Sequence, residues 1–181
     1  MLSPASRGLL LTIARSAIED RLHGRSAAPF AELPEELLRP SGAFVTLRRR
    51  SDRELRGCIG YIEARYPLAQ AVAQAAVSAA VSDTRFDPVL PAELPQLALD
   101  ISVLGPTFPI AAGDVRVGVH GLVIENGGCR GLLLPQVAIE WGWDAPSFLE
   151  QTCRKAGLAK DAWRARETVL LAFEAELLGE E

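Results

Sequence analysis

The chain has 181 residues, of which 49% are hydrophobic and 23% charged, and its net charge is -4. This composition is typical of a globular protein, which excludes a disordered chain, and the acidic balance makes nucleic acid an unlikely partner. The three cysteines, Cys58, Cys129 and Cys153, form no CxxC pair, so we expect neither a disulfide framework nor a structural zinc site.

The N-terminal segment has the features of an amphipathic helix. Ser3 and Pro4 form a favourable helix start, apolar residues then recur at helical spacing as far as Leu22, and Gly24 ends the pattern. The segment "GLLLTIA" within it lacks a signal-peptide cleavage site. The two prolines of "AELPEELLRPSG" predict a short helical turn or a loop at residues 31–42.

A hairpin is predicted next, with strands at Ala43–Arg49 and Glu54–Ile62 joined by a polar turn. Side chains alternate across a strand, so Arg56, Cys58 and Gly60 share one face of the second strand. Arg56 and Cys58 are therefore expected to point the same way.

The remaining elements alternate between helices and strands. Pro67 opens an alanine-rich helix that has too few consecutive apolar residues to span a membrane, so we expect a soluble protein. The odd number of cysteines without a CxxC pair favours the cytoplasm. The later segments predict a strand at residues 96–104, a meander of two or three strands at 114–134, helices at 135–144 and 145–157, and a strand at Val169–Leu177.

A short pattern occurs twice in the chain. A strand containing Arg-Gly is followed by Pro and an alanine-containing helix in "LRGCIGYIEARYPLAQAVA" and in "CRGLLLPQVA". Two related halves, each with helices over strands, would explain the repetition, and chance recurrence is the alternative. We predict a single domain over residues 1–181, with any boundary between two packed lobes near residues 105–114.

The motifs "LRGCIG", "SDTRFDPVLPAEL", "LDISVLGP" and "GVHGLVIENGGCRGLLLPQVAIEWGWD" occur in this order, and with them the chain resembles the AMMECR domain family. Its bacterial and archaeal members are called AmmeMemoRadiSam system protein A. The resemblance implies an α+β fold, with a barrel-like, mostly antiparallel sheet built from two related halves and flanked by helices. It also implies partnership with Memo-like and radical-SAM proteins. It identifies no activity and no cofactor.

The hexapeptide "LRGCIG" contains the leading site candidates, Cys58 and Arg56. Gly57 and Gly60 would let a ligand approach the backbone closely, and a guanidinium beside the thiol would lower the pKa of Cys58 and favour a nucleophile. The hexapeptide would then floor a groove that takes part in a small-molecule or protein-modification step. The alternative is a packed strand that only shapes a binding surface, as in a non-catalytic adaptor.

Other candidates are placed around this motif. His120 is the one histidine available as a base for Cys58, because His23 is expected to end the first helix. Arg85 belongs to "SDTRFDP", which predicts either an ion-pair cluster anchored by Phe86 or a cleft wall near Arg56. Arg130 occupies the place of Arg56 in the second copy of the repeated pattern.

Five arginines from Arg48 to Arg56 make the predicted hairpin locally basic. No aromatic residues are interleaved to stack on bases, so a solvated turn is the favoured interpretation and RNA binding the alternative. No spacing typical of metal ligands occurs in the chain, and no metal site is predicted.

Overall fold

The computed structural model describes residues 1–26 and 32–180 and divides the chain into two compact units. The first unit comprises Met1–Val103 with the C-terminal residues from Glu176 on, and the second comprises Leu104–Ala175. In both units helices pack on antiparallel strands, which confirms the predicted α+β class. No helix in the described part of the chain has the length and apolarity needed to cross a bilayer.

The first unit packs helices on a sheet. Its elements are α1 (Pro4–Leu22), α2 (Glu35–Leu38), β1 (Ala43–Arg49), β2 (Leu55–Tyr61), α3 (Leu68–Val81), β3 (Leu97–Leu104) and the end of β7 (Val169–Gly179). The Ser3 hydroxyl caps α1 by accepting a hydrogen bond from the backbone N–H of Ser6, and His23 ends the helix, as predicted. The short helical turn predicted at residues 31–42 is α2, and Ala31 lies outside the described residues.

The predicted hairpin is formed by β1 and β2, and β2 is the edge strand of its sheet. Thr46 pairs with Cys58 and Leu47 with Gly57. The face that carries Gly57 packs against α3, whose buried residues include six alanines, Ala69, Ala71, Ala75, Ala76, Ala79 and Ala80. These small side chains bring the helix backbone so close that a β-carbon on Gly57 would lie 2.2 Å from the carbonyl oxygen of Ala79.

The second unit contains β4 (Phe108–Pro109), β5 (His120–Asn126), β6 (Cys129–Leu133), α4 (Pro135–Glu140), α5 (Ala145–Lys155) and the rest of β7. The predicted meander is the hairpin of β5 and β6, joined by Gly127 and Gly128, which both have positive φ as a tight two-residue turn requires. The predicted C-terminal strand is confirmed as β7, whereas the two-residue strand β4 gave no sequence signal.

The repeated sequence pattern has a local structural counterpart in each unit. In both, an Arg-Gly pair lies on the second strand of a hairpin, and its glycine packs against helix backbone. A β-carbon on Gly131 would lie 2.4 Å from the backbone nitrogen of Ala156, much as one on Gly57 would meet Ala79. Both glycines therefore allow a helix to approach a strand more closely than any other residue would.

We expect Gly57→Ala to destabilise the protein by about 1–3 kcal/mol, because the new methyl group meets backbone that cannot rotate away. Gly8→Ala is the matched control, since Gly8 lies within α1 with no atom near its β-carbon position, and it should gain about 0.5–1 kcal/mol. Urea denaturation measures both free energies. An unchanged midpoint for Gly57→Ala would contradict this packing.

Candidate functional site

The candidate site lies in the first unit, where residues 83–93 run along the outer edge of β2. The backbone N–H of Cys58 donates to the Asp83 carboxylate (N to Oδ2, 2.9 Å), and the carbonyl oxygen of Cys58 accepts from Arg85 (Nη2 to O, 3.4 Å). An edge strand otherwise leaves such groups open to pairing with another chain. Asp83 and Arg85 therefore close the edge of β2 at Cys58.

Asp83 and Arg85 form a tight ion pair of their own. Arg85 donates to both carboxylate oxygens of Asp83, from Nε at 2.9 Å and from Nη2 at 2.6 Å, and its backbone N–H donates to the same carboxylate. The Asp83 side chain is 5% exposed. The hydrogen bonds from Arg85 and from the Cys58 backbone hold the pKa of the Asp83 carboxyl far below its usual range despite this burial.

Arg56 is bound to a carboxylate that sequence reasoning missed. Its Nε and Nη2 donate to the two carboxylate oxygens of Glu93, at 2.5 and 3.0 Å. The Phe86 ring lies between two guanidinium groups, 5.9 Å from Cζ of Arg56 and 5.4 Å from Cζ of Arg85. The segment "SDTRFDP" therefore forms an ion-pair cluster that lies beside Arg56.

The lowered thiol pKa expected for Cys58 is wrong. Burial raises the pKa of the Cys58 thiol, and this effect outweighs the hydrogen bond that the Thr46 hydroxyl donates to the sulfur at 3.2 Å. Among the nearby cations, Arg85 lowers the pKa of Cys58 most. The charge of Arg56 is paired with that of Glu93. The half-buried thiol is therefore predominantly protonated at neutral pH.

Gly57 and Gly60 serve packing in this structure. Gly57 admits α3, as described above, and a β-carbon on Gly60 would lie 2.3 Å from the ring of Phe44 on the neighbouring strand. Both positions face protein atoms, so their lack of a side chain is explained without a ligand. The groups that approach these two glycines closely are the backbone of α3 and the side chain of Phe44, and not a ligand.

The structure places the other two candidates in the second unit. His120 begins β5 and is 4% exposed, so its imidazole is buried. Its Nδ1 accepts a hydrogen bond from the backbone N–H of Arg116 at 3.2 Å, and the Phe108 ring packs edge-on against it. Arg130 pairs with Glu125 across the hairpin, from Nε to Oε1 at 2.9 Å.

The arginines of the β1–β2 turn have acidic partners within the first unit. Arg49 pairs with Asp52 and with Glu54, and Arg50 pairs with Glu180 at 2.9 Å. Arg53 reaches Asp100. This pairing favours the solvated turn over a surface for nucleic acid.

Metal ligation finds no support within residues 1–26 and 32–180, where no three His, Cys, Asp or Glu side chains converge. Cys153 is buried in the core of its unit with Phe148 and Leu149, and Cys129 is exposed. The chemistry that this site offers is therefore polar recognition by fixed guanidinium groups beside a half-buried thiol.

Two residues escaped sequence reasoning for different reasons. Thr46 could have been found from the hairpin register, which places it opposite Cys58. Glu93 lies 37 residues from Arg56 in a turn-rich segment, and no periodicity connects the two.

Comparisons with known proteins agree on one family. The AMMECR1 family model matches residues 11–178. A protein of Methanothermobacter thermautotrophicus is 46% identical over 180 residues, covering 95% of this chain and 93% of that relative. The crystal structure of uncharacterized protein PH0010 from Pyrococcus horikoshii is similar with a TM-score of 0.95 and 41% identity, over 99% of this chain and 94% of that one.

Asp83→Asn is expected to lower the free energy of unfolding at pH 7 by about 1–3 kcal/mol, because it removes a charged acceptor from the Cys58 backbone and from Arg85. The pKa of Asp83 is lowered in the fold, so its stabilisation is complete above about pH 4, decreases below that pH and is lost below the native pKa. The gap between wild type and variant should therefore narrow below about pH 4.

Urea denaturation from pH 7 to pH 2 tests this expectation. Asp87→Asn is the control, since Asp87 is exposed in the same segment, and it should leave stability unchanged. A constant gap between wild type and Asp83→Asn across this pH range would contradict the lowered carboxyl pKa.

We expect the alkylation rate of Cys58 to increase with pH, and the midpoint of this increase to lie above the ordinary thiol pKa of about 8.5. The measurement uses iodoacetamide on a Cys129→Ser background, which removes the exposed cysteine. The same background with Cys58→Ser gives the residual rate. An inflection below pH 8 would contradict the dominance of burial.

Proposed function

Since this chain belongs to the AMMECR1 family, we propose that it is a non-catalytic binding module that docks a protein partner beside the LRGCIG strand. The proposed partners are a Memo-like protein and a radical-SAM protein, which together with this chain would carry out a modification step in the cytoplasm. The module supplies recognition, and the chemistry resides in its partners.

One observation carries the proposal: the polar groups of the motif are already engaged. Arg56 is bound to Glu93, the backbone of Cys58 is bound to Asp83 and Arg85, and burial keeps the thiol protonated. A nucleophile needs a nearby base whose pKa lies near the working pH. The strongly lowered pKa of Asp83 makes that carboxylate a poor base, so the geometry favours binding over thiol catalysis.

The residues around this rigid centre form what we call the docking face, namely Arg85, Phe86 and Leu90. The Arg85 side chain is 55% exposed, and Leu90 is 67% exposed. Arginine and aromatic side chains contribute much of the energy of protein interfaces, particularly where neighbouring groups fix their conformation. Asp83 fixes Arg85, and the two guanidinium groups flank Phe86, so the face is preorganised for a partner.

An acidic contact on the partner is supported by the hydrogen-bonding capacity of Arg85. Nε and Nη2 are occupied by Asp83 and the Cys58 carbonyl, while a guanidinium has five N–H donors in all. No residue in the described part of the chain occupies the Nη1 donors, which remain for a carboxylate of the partner. Docking would therefore combine an apolar contact at Leu90 with a charged contact at Arg85.

A pull-down with the Memo-like and radical-SAM proteins of the same organism tests the proposal. Leu90→Asp should reduce capture at least about tenfold, since it places a charge in the apolar part of the face, while Cys58→Ser should leave capture unchanged. Leu38→Asp is the matched control, because Leu38 is a similarly exposed leucine on α2.

Two results would contradict this proposal. One is capture by Leu90→Asp at the wild-type level. The other is loss of capture or of the modification step in Cys58→Ser alone, which would assign the chemistry to the thiol.

A further inference from the structure

A cleft of about 550 Å³ is lined entirely by residues of the second unit. Its lining includes Phe108, Ile110, Asp114, Arg116, His120 and Glu174. They come from β4, β5, β7 and the segment between β4 and β5. The cleft therefore combines an apolar wall with both signs of charge.

The imidazole Nε2–H of His120 points at the Arg116 guanidinium, which is also a hydrogen-bond donor. Its Nδ1 accepts from the Arg116 backbone N–H at 3.2 Å, so the ring proton is on Nε2. The atom facing Nε2 is Nη2 of Arg116 at 3.4 Å, and a guanidinium nitrogen only donates. In the described part of the chain, this buried N–H thus faces a cation and has no acceptor.

The charged groups of the cleft are also without ion pairs. For residues 1–26 and 32–180, the only polar partner of the Arg116 side chain is His120, and neither Asp114 nor Glu174 forms an ion pair. Most charged residues discussed above have such a partner. A guanidinium, an imidazole N–H and two carboxylates therefore line one cleft unneutralised.

We propose that this cleft binds a free α-amino acid with an apolar side chain. The ligand carboxylate would be bound by the Arg116 guanidinium and by Nε2–H of His120, which supplies the acceptor that both groups lack. The ligand ammonium would be bound by Asp114 and Glu174. The apolar side chain would pack on Phe108 and Ile110.

The charge pattern favours this ligand over simpler ions. A phosphate dianion would be attracted by Arg116 but repelled by two carboxylates on the same cleft, and a metal cation would meet the Arg116 guanidinium. A zwitterion satisfies both signs together. Its apolar side chain would also gain from contact with the Phe108 ring, which is 38% exposed.

Isothermal titration of the full chain with leucine, valine and phenylalanine tests the proposal. At least one should bind, and for leucine the two truncated analogues, 4-methylpentanoate without the ammonium and 3-methylbutylamine without the carboxylate, should each bind at least about tenfold more weakly. Arg116→Gln should weaken leucine binding by a similar factor. Arg130→Gln, an arginine outside the cleft in the same unit, should not.

A double variant, Asp114→Asn with Glu174→Gln, separates the two ends of the ligand. It should weaken leucine and leave 4-methylpentanoate unchanged or tighter, because only the ammonium contact is removed. The proposal is overturned if none of the three amino acids binds at millimolar concentration, if inorganic phosphate binds more tightly than they do, or if Arg116→Gln binds leucine as wild type does.

Discussion

The hydrogen bond from the Cys58 backbone to the Asp83 carboxylate is the contact on which the arrangement of the LRGCIG strand depends. Through it, the segment after α3 is fixed along the edge of β2, and Arg85 is held by the same carboxylate. Because Asp83 is nearly buried, its charge must be compensated, and the ion pair with Arg85 and the backbone N–H provide that compensation. The strand edge, the thiol and the docking face are thereby fixed together.

The packing around this strand explains why the LRGCIG motif contains no activated thiol. Glycine at position 57 allows α3 to pack directly on one face of the strand, and on the opposite face the Cys58 side chain is half-buried. Loss of solvent opposes the thiolate more strongly than the nearby cations favour it. A rigid surface with oriented guanidinium groups is the result, and such a surface is suited to recognition.

The second unit differs in how its charges are used. Arg116, Asp114 and Glu174 line one cleft without neutralising one another, next to a buried imidazole whose N–H has no acceptor in the described residues. Ion pairs complete within a protein contribute to its architecture, whereas unpaired charges around a cleft are available to a ligand. We thus propose a site for a protein partner in the first unit and a site for a small zwitterion in the second.

The sequence by itself determined the elements and the family, because both depend on local order along the chain. Helical spacing before Leu22, the hairpin alternation around Cys58, the Asn-Gly-Gly turn and the alternation of β7 each predicted the observed element. Tertiary structure alone decided the roles of the side chains. The partner of Arg56 is 37 residues away, burial reversed the direction of the Cys58 pKa, and His120 is enclosed by Arg116 and Phe108. Desolvation and ion pairing depend on distances in space, which a linear pattern does not contain.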